Sequence, residues 1–588
     1  MCGIIACIAD DRAAPILLEG LKRVEYRGYD SAGVATLGRK GIVVRKDVGK
    51  IAEIEARQKL SSLDGRIGVA HTRWATHGGV TKRNAHPHTS CNELVAIVHN
   101  GIIKNYLKLK KELELRGHKF KSETDSEVIA HILEEEYRKS RNPTRATAST
   151  AKKLQGQYAF VALFQGRRDL LTGARNDAPL LVGLSERKRF LASDVLAFIE
   201  HTDRVIFMDN LEVVTVTDKG VRISDLSGKE VRKEVTQIAW ELADVSKLDY
   251  AHYTLKEIEE QPSTLLRGLI QDEDKLASFV HALKSSDSVF LTGAGSSFHA
   301  ALVLKHRLSI EARIRADAVV AGEFATQSHF IDRNSTVVAI SQSGETADVL
   351  EAVKVARSRG AGILSIVNAV GSSLVSASDH TLHLNCGPEV GVAATKSFTA
   401  QLAIIGMVLD SLTGRETSLD GESLARLAKE TLPVKEKARA LAKRYRERPD
   451  FYFIGRGVHY PIALEGALKL KELSYIHAEG MPASELKHGT LALIEEGTPV
   501  VVLNPGDETY DDTLSTAHEL KARGAEVIGI TDRASKLYTH TITLPSVAES
   551  MMPILEVIPL QFLAYYAALE RKNNPDYPRN LAKSVTVK

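Results

Sequence analysis

Cys2 stands directly behind Met1. If the methionine is removed, the chain begins with a thiol beside a free α-amine. An amine that titrates near pH ~8 is an intramolecular base for such a thiol, which is the arrangement of an N-terminal nucleophile. The competing reading is a buried structural cysteine opening a strand. His99-Asn100-Gly101 follows a strand-like run and offers an amide side chain and a glycine N–H to a developing oxyanion. His71, His77, His86, His88 and His99 fall within 29 residues, but no Cys or Asp stands at ligand spacing, so no metal is expected there.

A second group of residues suits a phosphate monoester. Gly293-Ala294-Gly295 leads into Ser296-Ser297, and Ser341-Gln342-Ser343-Gly344-Glu345-Thr346 precedes a helix-like stretch. Hydroxyls and N–H groups gathered at two helix starts make an anion nest, although the same hydroxyls also serve as plain N-caps. Phe298 and Tyr460 replace the last glycine of G-x-G-x-x-G, so dinucleotide binding is weakly supported. Glu465, Lys469 and Glu472 stand at i, i+4 and i+7 on one helix face. A solvated salt-bridge stripe is the ordinary reading, but flanking apolar residues argue that the helix is covered. His488, in a short polar loop, is placed to shuttle protons.

Two kinds of scaffold must hold these groups. Up to about residue 230 the chain reads as short strands (3–9, 42–45, 67–70, 94–98, 159–164, 180–184, 205–208, 213–216) with helices at 14–24, 106–116 and 126–139. That pattern predicts an α+β layered domain. From about 227 to 262 it turns polar and aperiodic, and the linker is expected at 241–262. Beyond it, apolar strands without alternation are separated by long helices, which predicts doubly wound α/β architecture with parallel sheets.

This half repeats itself. Gly293-Ala294-Gly295 has its counterpart 162 residues on, at Gly455-Arg456-Gly457, and Gly344 has Gly506 at the same offset. Two tandem copies are therefore expected, 263–425 and 426–575, with a tail at 576–588. The second copy has Asn504-Pro505-Gly506 where the first has its hydroxyls, so the copies are specialised.

Composition sets the outer limits. The 588 residues are 44% hydrophobic and 26% charged with a net charge of +3, which excludes a largely disordered chain and gives no electrostatic footprint for nucleic acid. Four cysteines without a C-x-x-C pair point to a reducing, cytoplasmic setting. The apolar opening stops at Asp10-Asp11-Arg12, and the runs 401–409 and 555–569 fall short of the ~18–20 clean residues of a membrane span.

Met1-Cys2-Gly3-Ile4, residues 25–33, residues 71–78, His99-Asn100-Gly101 and Ser122-Glu123-Thr124-Asp125 resemble class II glutamine amidotransferases. The second half resembles paired sugar isomerase domains. With 465–472, 485–489 and the tail 579–587, the whole chain resembles, in one order, the glutamine-dependent hexose-phosphate aminotransferases.

The resemblance implies an αββα N-terminal-nucleophile domain at 2–240 followed by the two isomerase domains. It implies L-glutamine and fructose 6-phosphate as substrates, glucosamine 6-phosphate as product, a homodimer, and no cofactor, metal, nucleic acid or membrane. Cys2 would be the nucleophile, with Asn100 and Gly101 stabilising the oxyanion. Arg73 would hold the glutamine α-carboxylate and Asp125 its α-ammonium, while Thr76, His77 and Gly78 line the pocket and Trp74 gates ammonia. Ser296, Ser297, Ser341, Gln342, Ser343, Thr346 and the backbone at Val392 would bind the sugar phosphate. His488 would open the ring, Lys583 form a Schiff base, and Glu472 move a proton between C1 and C2 with Lys469 nearby.

The Ser296 turn and loop 480–484 depart from the pattern of relatives. A different acceptor would need pyrophosphate motifs that are absent. A silent sugar-phosphate sensor could have lost Cys2, Glu472 or Lys583, and all three are present.

Overall fold

The computed structural model describes residues 2–238, 240, 242–415 and 420–586, the side chains of 242 and 243 excepted. The chain forms two compact units, one running to Val245 and including the tail from Ala582, the other Ser246–Leu581.

In the first unit, two antiparallel sheets face each other. The larger runs, in spatial order, Thr236–Gln237, Arg204–Phe207, Leu181–Leu184, Arg189–Ala192, Gly3–Ile8, Ile67–Arg73, Ser31–Gly38 and Gly41–Val48. The smaller runs Val221–Asp225, Glu212–Thr217, Leu170–Asn176, Gly156–Phe164, Val95–Ile103 and His88–Thr89. Ile4, Ala6, Val69, Val98, Val161 and Leu163 fill the space between the sheets. Each fully buried aliphatic side chain there contributes about 1.5–3 kcal/mol. Ala13–Arg23 covers the outer face of the larger sheet, and Tyr106–Leu115, Glu127–Ser140 and Pro143–Ala151 cover the smaller. The layers are thus αββα.

Gly3–Ile8 is a central strand, pairing with Arg189–Ala192 on one side and Ile67–Arg73 on the other. Its antiparallel register sets Gly3 against Thr72, so Cys2 arrives beside Arg73 and Trp74.

The second unit holds two five-stranded parallel sheets. One runs Ala316–Val320, Ser288–Gly293, Ser335–Ser341, Gly362–Val367 and His380–His383. The other runs His477–Pro482, Asp450–Gly455, Pro499–Leu503, Glu526–Thr531 and His540–Thr543. Both have the strand order 2-1-3-4-5, so the sequence repeat is a repeat of topology. Lys396–Thr413, His459–Ser474 and Met552–Glu570 are buried helices within one core that joins the two copies.

Met552–Glu570 is long and apolar enough, by length and composition, to cross a membrane, and 89% of its apolar window is buried inside the unit. The polar residues that interrupt it are paired inside the protein. Gln261 Nε2 donates to Gln561 Oε1 (2.9 Å), and Glu556 Oε2 meets His459 Nδ1 (2.7 Å).

The interval expected as linker is folded. Tyr253–Glu259 is a helix with Thr254, Lys256, Glu257 and Ile258 buried. The backbone N–H groups of Tyr253 and Thr254 donate to the Asp576 carboxylate (2.9 and 2.8 Å), and Glu257 accepts from the N–H of Val390 (2.5 Å). The polar groups here are satisfied inside the unit, and the hydrophobic pattern reads them as solvent exposure.

Candidate functional site

In the first unit, the Trp74 backbone N–H donates to Cys2 Sγ (3.3 Å). Burial pushes the thiol up from its ordinary range, while the Trp74 N–H favours the thiolate. Asn100 Nδ2 donates to the Cys2 carbonyl (3.0 Å). Its orientation is set from behind, because His71 Nε2 lies 3.1 Å from Asn100 Oδ1 and 2.9 Å from the His99 carbonyl. Burial holds His71 down at about 3, so it stays neutral and serves as a fixed donor. Gly101 has φ +118, and a Cβ there would strike the Gln157 carbonyl. Only glycine fits the strand at that point.

Arg73 is buried, and its guanidinium donates to the carbonyls of His77 (2.5 Å), Gly78 (3.2 Å) and Gly79 (3.2 Å), which shapes the 76–79 loop. Thr76 and Gly78 are exposed, and His77 packs edge-on to Tyr106. Asp125 is buried and accepts from the Ile103 N–H (2.7 Å). Trp74 is half-buried, edge-on to Tyr29.

Residues not singled out from sequence hold this loop in place. Asp30 Oδ2 accepts from the Ala75 N–H (2.8 Å), and Asp194 takes both Tyr26 Oη–H (2.5 Å) and buried Arg27. Tyr26, Arg27 and Asp30 lie within a motif the sequence displays, whereas Asp194 carries no local signal.

Of the five histidines, His71 packs on His86 (4.1 Å) and His86 on His88 (4.4 Å). Burial lowers all three and His99, making them a neutral core cluster. Among the described residues, no potential metal-binding group includes them.

In the second unit, strands Ser288–Gly293 and Ser335–Ser341 are sheet neighbours whose outward connections lead to opposite sides. Their carboxyl ends form the switch-point crevice where open α/β sheets bind ligands. The Gly295–Ser297 turn and the Ser341–Thr346 loop both stand at those ends. Gly344 has φ +64, and a Cβ would strike Ser372. Ser341 Oγ accepts from the Gly344 N–H (3.0 Å), and Ser343 Oγ from the Glu345 N–H (3.2 Å). Thr346 begins the helix Ala347–Ser358 without a side-chain cap, and Gly295, not Ser296, occupies the N-cap of Ser296–Arg307. Plain capping therefore does not account for those two hydroxyls. Ser297 Oγ accepts from Gln401 Nε2 (3.0 Å).

The Glu465–Glu472 stripe is buried, not solvated. Glu465 and Lys469 are 0% and 1% exposed. Lys469 Nζ donates to Glu472 Oε2 (2.6 Å) and Ser296 Oγ (3.2 Å) and lies 3.4 Å from Glu465 Oε1. Ser296 Oγ donates to Glu465 Oε1 (2.8 Å), and His299 Nδ1 meets Glu465 Oε2 (2.7 Å). Burial alone would lower Lys469, but Glu465 and Glu472 outweigh it and hold the ammonium well above its ordinary range. His299 is a further member of the cluster that sequence reasoning missed.

Two expected residues of the second unit make no hydrogen bond to this cluster among the described residues. His488 ends the short turn Ala483–His488 and is exposed, with no hydrogen bond to the cluster. The Val392 N–H is directed to the Asp576 carbonyl (3.4 Å). Lys583 belongs to the tail grouped with the first unit.

Comparison with known proteins places both units. A family profile described as a glutamine amidotransferase domain matches residues 71–200, and one described as a SIS domain matches 282–411 and 445–571. The chain is 43% identical over 597 residues to a glutamine–fructose-6-phosphate aminotransferase (isomerizing) of Pyrococcus horikoshii. It is 44% identical over 593 residues to the protein of that name from Methanothermobacter thermautotrophicus, and both alignments cover 100% of each chain. Among solved structures it is similar to the C-terminal domain of glucosamine-fructose-6-phosphate aminotransferase from Francisella tularensis. That likeness is 33% identity with a TM-score of 0.53, covering 57% of this chain and 100% of the other.

Proposed function

The chain belongs to the family of glutamine–fructose-6-phosphate aminotransferases (isomerizing), and from that premise we propose how its residues divide the reaction. Glutamine and fructose 6-phosphate are converted to glutamate and glucosamine 6-phosphate. The Cys2 thiolate attacks the glutamine side-chain carbonyl, with its own α-amine as base once Met1 is gone. Asn100, oriented by His71, and the Gly101 N–H receive the negative charge that develops on oxygen. Arg73 and Asp125 bind the two α-groups of glutamine, Thr76, His77 and Gly78 line its pocket, and Trp74 gates the departing ammonia.

In the second unit, the phosphate sits on the 341–346 loop and the Ser296–Ser297 turn, with the backbone at Val392 near the sugar. Lys469, clamped by carboxylates, remains protonated and is unsuited to attack a carbonyl. By the resemblance, the amine that forms a Schiff base with the ketose is Lys583, and Glu472 carries the proton between C1 and C2. Ammonia in neutral water is mostly ammonium and cannot attack a carbonyl, which favours release and capture on one polypeptide away from bulk water. A homodimer suits the exposed His488, since ring opening by that residue would then fall to a second copy. A cytoplasmic location fits the four free cysteines.

The observation that carries this reading is Ser296 Oγ lying between Glu465 (2.8 Å) and Lys469 (3.2 Å), because it joins the hydroxyl turn of one copy to the ionisable helix of the other in a single site. Cys2→Ala should abolish synthesis from glutamine while leaving synthesis from high ammonium. Lys583→Arg should lose both syntheses and keep glutaminase activity. Simultaneous loss of every activity in Cys2→Ala would refute the division.

A further inference from the structure

We propose that the first unit carries a structural zinc site formed by Cys91, His118, His131 and Glu134, remote in function from Cys2. The four residues come from three segments: the turn between His88–Thr89 and Val95–Ile103, the loop after Tyr106–Leu115, and the helix Glu127–Ser140. One ligand atom from each lies within 4.8 Å of the others.

The spacing of Cys91, His118 and His131 matches three corners of a tetrahedron. With Zn–S at about 2.3 Å and Zn–N at about 2.05 Å, tetrahedral angles put sulfur and nitrogen about 3.6 Å apart and two nitrogens about 3.4 Å apart. Cys91 Sγ lies 3.6 Å from both His118 Nδ1 and His131 Nδ1, and the two nitrogens lie 3.2 Å from each other.

The surroundings are those of a metal centre. His118 Nε2 meets Glu135 Oε1 at 3.2 Å, and His131 Nε2 faces Glu127 Oε1 at 3.4 Å. The carboxylate bonded to His118 favours its Nε2–H tautomer and aims its Nδ1 lone pair inward. Glu127 stands ready to do the same for His131, whose Nε2 has no other partner among the described residues. Two lone pairs and a sulfur gathered in this way repel unless a proton or cation sits among them. The Lys119 N–H donates to Cys91 Sγ (3.3 Å), which stabilises a thiolate. Glu134 Oε1 is held by Asn92 (3.0 Å) and Arg138 (2.7 Å), while Oε2 is buried without a hydrogen-bond partner. One thiolate and one carboxylate balance a divalent ion, and the S, N, N, O set suits zinc over magnesium or calcium.

Four protein ligands leave no open position, so the role is structural. The ion would staple the sheet edge to the helical layer. Glu127 extends the brace, because it also accepts from the N–H groups of Lys121 (2.7 Å) and Ser122 (2.6 Å), in the loop leading to Asp125.

The test uses the full chain, stripped with a chelator and titrated with Co²⁺. About one equivalent should bind, with a thiolate-to-cobalt charge-transfer band and intense tetrahedral ligand-field bands that Zn²⁺ bleaches. Cys91→Ser should lose the charge-transfer band, whereas Cys2→Ala should retain it. Chelation should lower the melting temperature of the parent but not of Cys91→Ser or His118→Gln. Absence of the band in the parent, its persistence in Cys91→Ser, or a parent melting temperature indifferent to chelator would reduce the site to a hydrogen-bonded cluster.

Discussion

The two copies of the second unit share a strand order and the position of their switch points, yet those points are chemically opposite. In the first copy the crevice carries Ser296, Ser341, Ser343 and Thr346, with Ser296 hydrogen-bonded to Glu465 and Lys469. In the second, the residue 162 positions after Ser297 is His459, buried between Asp507 Oδ2 (2.6 Å) and Glu556 Oε2 (2.7 Å). Asp532 Oδ1 accepts the Gly506 N–H (2.7 Å), so that donor is spent within the chain as well. In the first copy serine hydroxyls satisfy the loop N–H groups, and in the second a carboxylate does. Topology placed both crevices, and their loop side chains give the two different chemistry.

The largest effect expected from this contrast is on stability. Burial alone would lower His459, but Glu556 and Asp507 prevail and raise it to about 10. A folded-state value above the unfolded one of about 6.5 means that the stabilisation is fully present below pH ~6.5 and is lost as pH rises through about 10. His459→Gln leaves buried carboxylates without their cation and should cost about 3–5 kcal/mol at neutral pH. Denaturant midpoints across that window should fall steeply for the parent and much less for the variant. Equal alkaline slopes in the two proteins would break the contrast.

The first copy should answer in binding instead. A hydroxyl that donates to a charged group contributes about 1.5–3 kcal/mol, so Ser343→Ala and Thr346→Val should each raise the KM for fructose 6-phosphate roughly 10- to 100-fold. Stability should change by less than about 1 kcal/mol in each variant. An unchanged KM for both would move the phosphate elsewhere.

Much of this contrast was legible in the sequence. The 162-residue offset of Gly293 and Gly455 anticipated two sheets of identical order, and Asn504-Pro505-Gly506 announced the loss of hydroxyls. The i, i+4, i+7 spacing placed Glu465, Lys469 and Glu472 on one face and the flanking apolar residues argued its coverage, but neither says what packs against it. Residues 253–260 looked like linker because their polar groups are satisfied inside the unit: the Asp576 carboxylate accepts from the N–H groups of 253 and 254, and Glu257 accepts from those of 390 and 391. Cys91, His118 and His131 are separated by 27 and 13 residues, so their convergence is a product of tertiary structure and has no local motif beyond His131 and Glu134 three apart.

The smallest effect tests whether the missing hydroxyl alone silences the second copy. Glu508 stands 162 residues after Thr346 and is exposed, beside Asp507. Glu508→Thr adds a hydroxyl beside the Thr509 N-cap without replacing either partner of His459. If hydroxyl supply were the deciding factor, the variant would bind a second fructose 6-phosphate. If the carboxylates decide, the approaching phosphate still meets Asp507, Glu556 and Asp532. A dianion facing them is repelled whatever the added hydroxyl offers, since a single neutral donor is weak against several fixed like charges. The expected outcome is a stability change within about 0.5 kcal/mol and a KM within about twofold of the parent, with calorimetry still reporting one sugar phosphate per chain. A second binding event in Glu508→Thr would show that the two crevices differ by a side chain and not by their charge.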